Sequence, residues 1–114
     1  MAYRGDNAVH SWINFNGQGS VSTRDSHNIA QLDEDGTGTY TIHHDTDFTN
    51  STYAVSVMAG GNGHNGFAMA MGAGDSSTSF QGAGDCQFNF RGGAGASGGN
   101  RDPLTVYVIS TGDN

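Results

Sequence analysis

No lysine occurs in the 114 residues. The only cations are four scattered arginines, Arg4, Arg24, Arg91 and Arg101, set against eleven acidic residues for a net charge of −7. Neutralising a nucleic-acid backbone takes clustered Lys and Arg, so this composition argues against DNA or RNA as a partner. Attraction to an anionic membrane surface is weakened for the same reason. A single cysteine, Cys86, excludes an intrachain disulfide framework. Its place in Cys86-Gln87-Phe88-Asn89-Phe90 puts it on an apolar face, where a thiol behaves as a small buried hydrophobe. No apolar run reaches membrane-spanning length, and the N-terminus has no signal-peptide pattern, so a soluble protein made without a secretion signal is expected. Also missing is any window of apolar residues spaced at three and four, which removes helices from the expected fold.

Present instead are 19 glycines and short alternating segments, with only 34% hydrophobic residues overall. Glycine at this level with so few apolar residues suits disorder unless the apolar residues cluster, and here they do. Val9 to Phe15 alternates with some apolar character on both faces, and Asn16-Gly17 supplies the positive φ values of a tight hairpin turn before a return strand at Val21 to Thr23. Gly19 is a candidate bulge in that return. Ile29 to Leu32 and Thr39 to His43 flank an acidic turn, Asp33 to Gly38. Thr52 to Ala59 has the cleanest period of two, with Tyr53, Val55 and Val57 inward. Phe67 to Met71, Thr78 to Gln81 and Cys86 to Arg91 follow. Leu104 to Ser110, LTVYVIS, is apolar on both faces and is expected in the middle of a sheet, with Pro103 placed where no ladder donor is needed.

Short strands with turn signals every 8–12 residues predict an all-β fold: one antiparallel β-sandwich, jelly-roll-like, of about seven to nine strands with long Gly-rich loops, spanning 1–114 as a single domain. The predicted core is Trp12, Ile13, Phe15, Tyr40, Ile42, Val55, Val57, Phe67, Phe88, Phe90, Val106 and Val108. Set against the ordering entropy of so many glycines, that core makes an isolated monomer marginal, and assembly into a symmetric oligomer is the simplest added stabilisation.

The polar residues give little chemistry. Gly72-Ala73-Gly74 and Gly82-Ala83-Gly84 neither open a helix nor precede a Gly-Lys-Ser/Thr, so they read as loops and not phosphate cradles. His43 and His44 point to opposite faces of a strand and cannot converge on a metal without a bend. Asp33-Glu34-Asp35-Gly36 lacks the alternating ligands of a calcium loop; a hairpin turn is the better reading, with a weak surface calcium site as the lesser alternative. No Gly-x-Ser-x-Gly elbow accompanies the five histidines, and no carboxylate pair is singled out. Arg4-Gly5-Asp6 spells an integrin-type tripeptide, but matches of three residues arise by chance. The expectation is a non-enzymatic protein with no catalytic residues, no metal and no cofactor.

Three stretches taken in order resemble a known module: Trp12 to Gly19 (a WxNFNG-G hairpin), Arg24 to Asn28 (an RDSxN turn) and Asp33 to Thr41 (an acidic DxGTGxYT hairpin). With the Tyr53 to Val57 strand and the closing LTVYVIS, they look like the β-rich module that ends many tail-fibre and other virion proteins of tailed bacteriophages, especially marine and cyanobacterial ones. That resemblance implies a compact, often trimeric β-domain serving virion architecture or host attachment, and it carries over no catalytic residue. Lacking heptads, repeats or a shaft, the chain reads as a capsid decoration or knob protein on the particle surface, partnered by its own copies and by other virion proteins. The alternative is a tail-fibre or tail-tip module that binds host surface glycan. On the first reading the glycine loops Gly60 to Gly66 and Gly92 to Asn100 are the contact or display surfaces; on the second, Asn62, His64, Asn65, Asn100 and Arg101 are the polar contacts to glycan. A third reading, a small polysaccharide hydrolase, needs two carboxylates facing one cleft.

Overall fold

The computed structural model describes residues 9–60, 67–71, 81–92 and 102–112, with side chains described for all of these except 67–71 and 92. Outside them lie the Arg4 to Asp6 tripeptide, the Gly72 to Gly74 loop, the Thr78 to Phe80 part of one candidate strand, and the side chain of Phe67.

Among the described residues eight strands form: β1 (Val9–Asn16), β2 (Ser22–His27), β3 (Ile29–Gly36), β4 (Thr39–His44), β5 (Ala54–Gly60), β6 (Phe67–Met71), β7 (Asp85–Gly92) and β8 (Thr105–Thr111). They make two four-stranded sheets, β2-β1-β8-β5 and β3-β4-β7-β6, in which every pairing is antiparallel. The predicted antiparallel sandwich is therefore the observed fold. LTVYVIS is central as expected, with β8 between β1 and β5.

Alternation decides the core. From the first sheet Ile13, Phe15, Val106 and Val108 point inward; from the second come Tyr40, Ile42, Cys86, Phe88 and Phe90, all almost fully buried. Each contributes about 1.5–3 kcal/mol relative to exposure. Phe15, Tyr40, Phe88 and Phe90 form one aromatic cluster, with Phe15 edge-on to Tyr40 at 5.1 Å. Val55 and Val57 pack against this core from the sheet edge and are only partly buried. Trp12 does not belong to it. Beside an inward Ile13 it must face outward, and a segment apolar on both faces does not say which face the second sheet will cover.

The first connection also departs from expectation. It spans residues 17–21, and positive φ falls on Gly19 (φ 61), not on Gly17. Asn16 still contributes turn chemistry, its Oδ1 accepting from the Gln18 amide at 2.9 Å. Gly17 is needed for space: a Cβ there would stand 2.5 Å from the Tyr40 hydroxyl and 2.7 Å from the Pro103 carbonyl oxygen.

Asp33, Glu34 and Asp35 lie within strand β3, and the turn is the pair Thr37–Gly38, with Gly38 at φ 75. This corrects the reading of the acidic stretch as a turn. An edge strand can carry charge because one side of it meets water, and such charge deters edge-to-edge pairing. The RDSxN stretch is likewise strand up to His27, and the corner is Asn28 alone, at φ 57. One residue in the left-handed region turns the chain from the first sheet to the second, and asparagine tolerates that region better than other side chains.

Candidate functional site

The five residues expected to make polar contacts, Asn62, His64, Asn65, Asn100 and Arg101, lie outside the described residues. Their flanks are described. Gly60 pairs with Thr105 and Phe67 with Gly92, while Gly17 donates to the Pro103 carbonyl and Gly38 to the Asp102 carboxylate. The segments 61–66 and 93–101 therefore both depart from the end of the sandwich that carries Gly17 and Gly38.

That end is fastened by Tyr40. Its buried hydroxyl lies 3.0 Å from the Gly17 carbonyl oxygen and 2.8 Å from Asp102 Oδ1, the oxygen that also accepts from Gly38 N at 2.7 Å. Burial first, then the Asp102 carboxylate, pushes the phenol well above its usual pKa. Glu34 approaches the same carboxylate, and burial followed by Asp102 raises its pKa.

The acidic strand does not assemble a cation site. Asp33 accepts from Gln31 Nε2 at 2.6 Å and pairs with His43 Nε2 at 2.9 Å; the Gln31 bond, then the His43 bond, holds its pKa down. Asp35 accepts from Thr41 and Gln87, while Glu34, next to both, points toward Asp102. Among the described residues no group of three or more His, Cys, Asp or Glu side chains comes together as a metal site. His43 and His44 do face opposite ways, the first half-exposed and the second buried.

The opposite end is closed by rings. His10 packs over Phe48 at 3.9 Å, Phe48 stacks on Tyr53 at 3.8 Å and 5°, and His44 stands edge-on to all three. A bulge between Val9 and Ser11 leaves His10 as the extra residue of β1, so that His10 and Ser11 both turn inward. Asn28 ties this end together: its amide donates to the Thr46 and His10 carbonyls, and its Oδ1 accepts from Thr46 N at 2.7 Å. A shallow depression of about 500 Å³ lies alongside, lined by Val9, His10, His27, Asn28, Asp45 and Thr46. Its one deep imidazole is engaged, since His10 Nε2 sits 2.6 Å from the Thr46 carbonyl oxygen.

Three of the exposed large hydrophobic side chains share the outer face of the first sheet. Register aligns His27, Trp12, Ile109 and Ser56 in one row and Asp25, Asn14, Tyr107 and Met58 in the next. Met58 is 67% exposed, and Tyr107 and Ile109 are each 46% exposed. Arg24, the extra residue at a bulge in β2, reaches across this face and donates to Asn14 Oδ1, the Phe15 carbonyl and the Leu104 carbonyl. The face thus mixes exposed aromatic and aliphatic side chains with Asn14, Ser56 and a held Arg24. The apolar second face of LTVYVIS was visible as a pattern, but not that it would stay uncovered.

No protein-family model matches the chain, and no curated protein or solved structure matches it. The geometry defines a small all-β domain of two packed antiparallel sheets with one apolar outer face.

Proposed function

We propose that this protein is a non-enzymatic structural subunit of a tailed-phage particle surface, a capsid decoration or knob protein that assembles through the outer face of the β2-β1-β8-β5 sheet. The observation that supports it is the cluster of exposed apolar side chains on neighbouring strands, Met58, Tyr107 and Ile109. Single exposed hydrophobics are ordinary, whereas several on adjacent strands mark a surface that something covers. The phage context and a trimeric state rest on the resemblance of the hairpin motifs. Contact with sister subunits or the particle would bury that face, leaving most of the acidic residues elsewhere to keep assembled particles apart. Imaging particles made without this protein tests the reading: loss of surface density from the head is expected, and an unchanged head surface overturns it.

The second reading is a receptor-binding tip. It is favoured by the common departure of segments 61–66 and 93–101 from one end of the sandwich, the arrangement by which paired loops share a ligand. Purified protein that adsorbs to host cells, and loses adsorption on substitution of Asn62, His64, Asn65, Asn100 or Arg101, would establish it. Absence of adsorption removes it.

A further inference from the structure

Four buried side-chain atoms among the described residues have no hydrogen-bond partner: Ser11 Oγ, Ser110 Oγ, and both ring nitrogens of His44. All three residues are more than nine-tenths buried. They also share one layer of the sandwich. Ser11 and Ser110 are direct cross-strand partners, each two residues beyond an inward core residue, Ile13 and Val108. On the facing sheet His44 stands two residues beyond inward Ile42, and Ile42 pairs with Cys86. The Phe15–Tyr40 contact aligns the two sheets at the far end of the core, and the His10–His44 contact at 5.7 Å aligns them here.

This layer differs from the rest of the core in polarity. Facing sheets stand about 10 Å apart. Here the first sheet contributes only two small serine side chains, and the neutral imidazole opposite offers one donor and one acceptor that no protein atom meets. Buried polar groups without partners are rare in folded proteins, and where space allows, an ordered water commonly supplies the missing bonds.

We propose that Ser11, Ser110 and His44 enclose an internal solvent site, occupied by at least one ordered water and sealed from bulk solvent by the stacked rings of Phe48 and Tyr53. The water bonds one imidazole nitrogen and spends its other valences on the serine hydroxyls. It also gives the imidazolium, when one forms, a polar neighbour in the buried layer.

The charged and titratable groups facing His44 are His10 from β1, Asp47 from the connection after β4, Asp85 from β7 and His43 on its own strand. Burial outweighs the two carboxylates and lowers the His44 pKa. Removing the water would lower it further, because the cation would lose a hydrogen-bond acceptor.

A high-resolution crystal structure tests the site. A solvent peak at about 2.6–3.2 Å from a His44 nitrogen and from a serine hydroxyl is expected. An empty chamber, or serine hydroxyls bonded to each other with no solvent beside His44, overturns the proposal. In solution, the His44 ring resonances of S11A/S110A are followed with pH beside the unsubstituted protein. A midpoint displaced to lower pH supports the site. An unchanged midpoint overturns it, even if the substitutions leave stability untouched. Serine to alanine removes the hydroxyls without adding bulk, so the fold should tolerate the pair.

Discussion

The Tyr40 hydroxyl occupies the space that a side chain on Gly17 would need: it donates to the Gly17 carbonyl, and a Cβ on Gly17 would reach 2.5 Å from it. The glycine and the tyrosine come from different sheets, so the contact fixes how the first hairpin sits on the second sheet. G17A is expected to destabilise by about 1–3 kcal/mol, the usual cost of overpacking. Y40F is expected to cost a similar amount by removing the hydroxyl that lies within hydrogen-bond distance of the Gly17 carbonyl and of Asp102, whose Oδ1 keeps its bond from the Gly38 amide. In G17A/Y40F the losses should sum to less than additive, since the phenylalanine lacks the clashing oxygen. Urea denaturation of all four proteins measures the coupling.

Asn28 combines a left-handed backbone with a side chain that holds both flanks of the corner. N28G keeps the backbone easy but deletes the bonds to Thr46 and His10. N28A loses the same bonds and adds backbone strain. Thermal melts should rank the proteins as native above N28G above N28A, with the last two separated by about 1 kcal/mol. Equal losses in the two variants would show that the side-chain bonds carry the whole effect.

His44 makes stability depend on pH in a definite direction. Burial lowers its folded pKa below the ordinary imidazole value of 6.5. The unfolded chain therefore takes up a proton first as pH falls, so the folded state is favoured above about pH 6.5 and loses stability progressively below it, down to the folded pKa. Chemical denaturation between pH 8 and 5 should show this decline, and H44F should flatten it over the upper part of the range. H43Q, at the half-exposed neighbour on the same strand, serves as the control.

Burial pushes the Cys86 thiol up to about 12. In the folded protein it should resist a thiol reagent at neutral pH and react in full once denaturant is added. Fast reaction of the native protein would mean that the Cys86 layer opens readily.

On the outer sheet face, Y107S and I109S should leave the folding free energy within about 0.5 kcal/mol, because neither side chain is in the core. Self-association measured by light scattering should fall. Trp12, in the row with Ile109, should report assembly as a concentration-dependent shift in fluorescence, which Y107S/I109S abolishes.

The sandwich was legible because Ile13 and Phe15, Tyr40 and Ile42, and Val106 and Val108 alternate with less buried neighbours, and period-two spacing records burial directly. Trp12 misled because alternation identifies two faces without saying which one meets the other sheet. The carboxylates of β3 read as a turn because an edge strand in water and a loop share the same polar composition. Least legible was the His44 end. Ser11, Ser110 and His44 look like surface residues by type, and Phe48 and Tyr53 stand outside the regular strands. Only the fold turns those side chains toward one another.

The pairing of β1 with β8 has a kinetic consequence. Ile13 meets Val108 and Phe15 meets Val106, so the centre of one sheet joins residues from opposite ends of the described chain. The β3–β4 hairpin can form from local contacts, whereas β1 has to wait for β8. During synthesis the apolar edge of β1 stays open until β8 has left the ribosome, and folding should be slow for the chain's length.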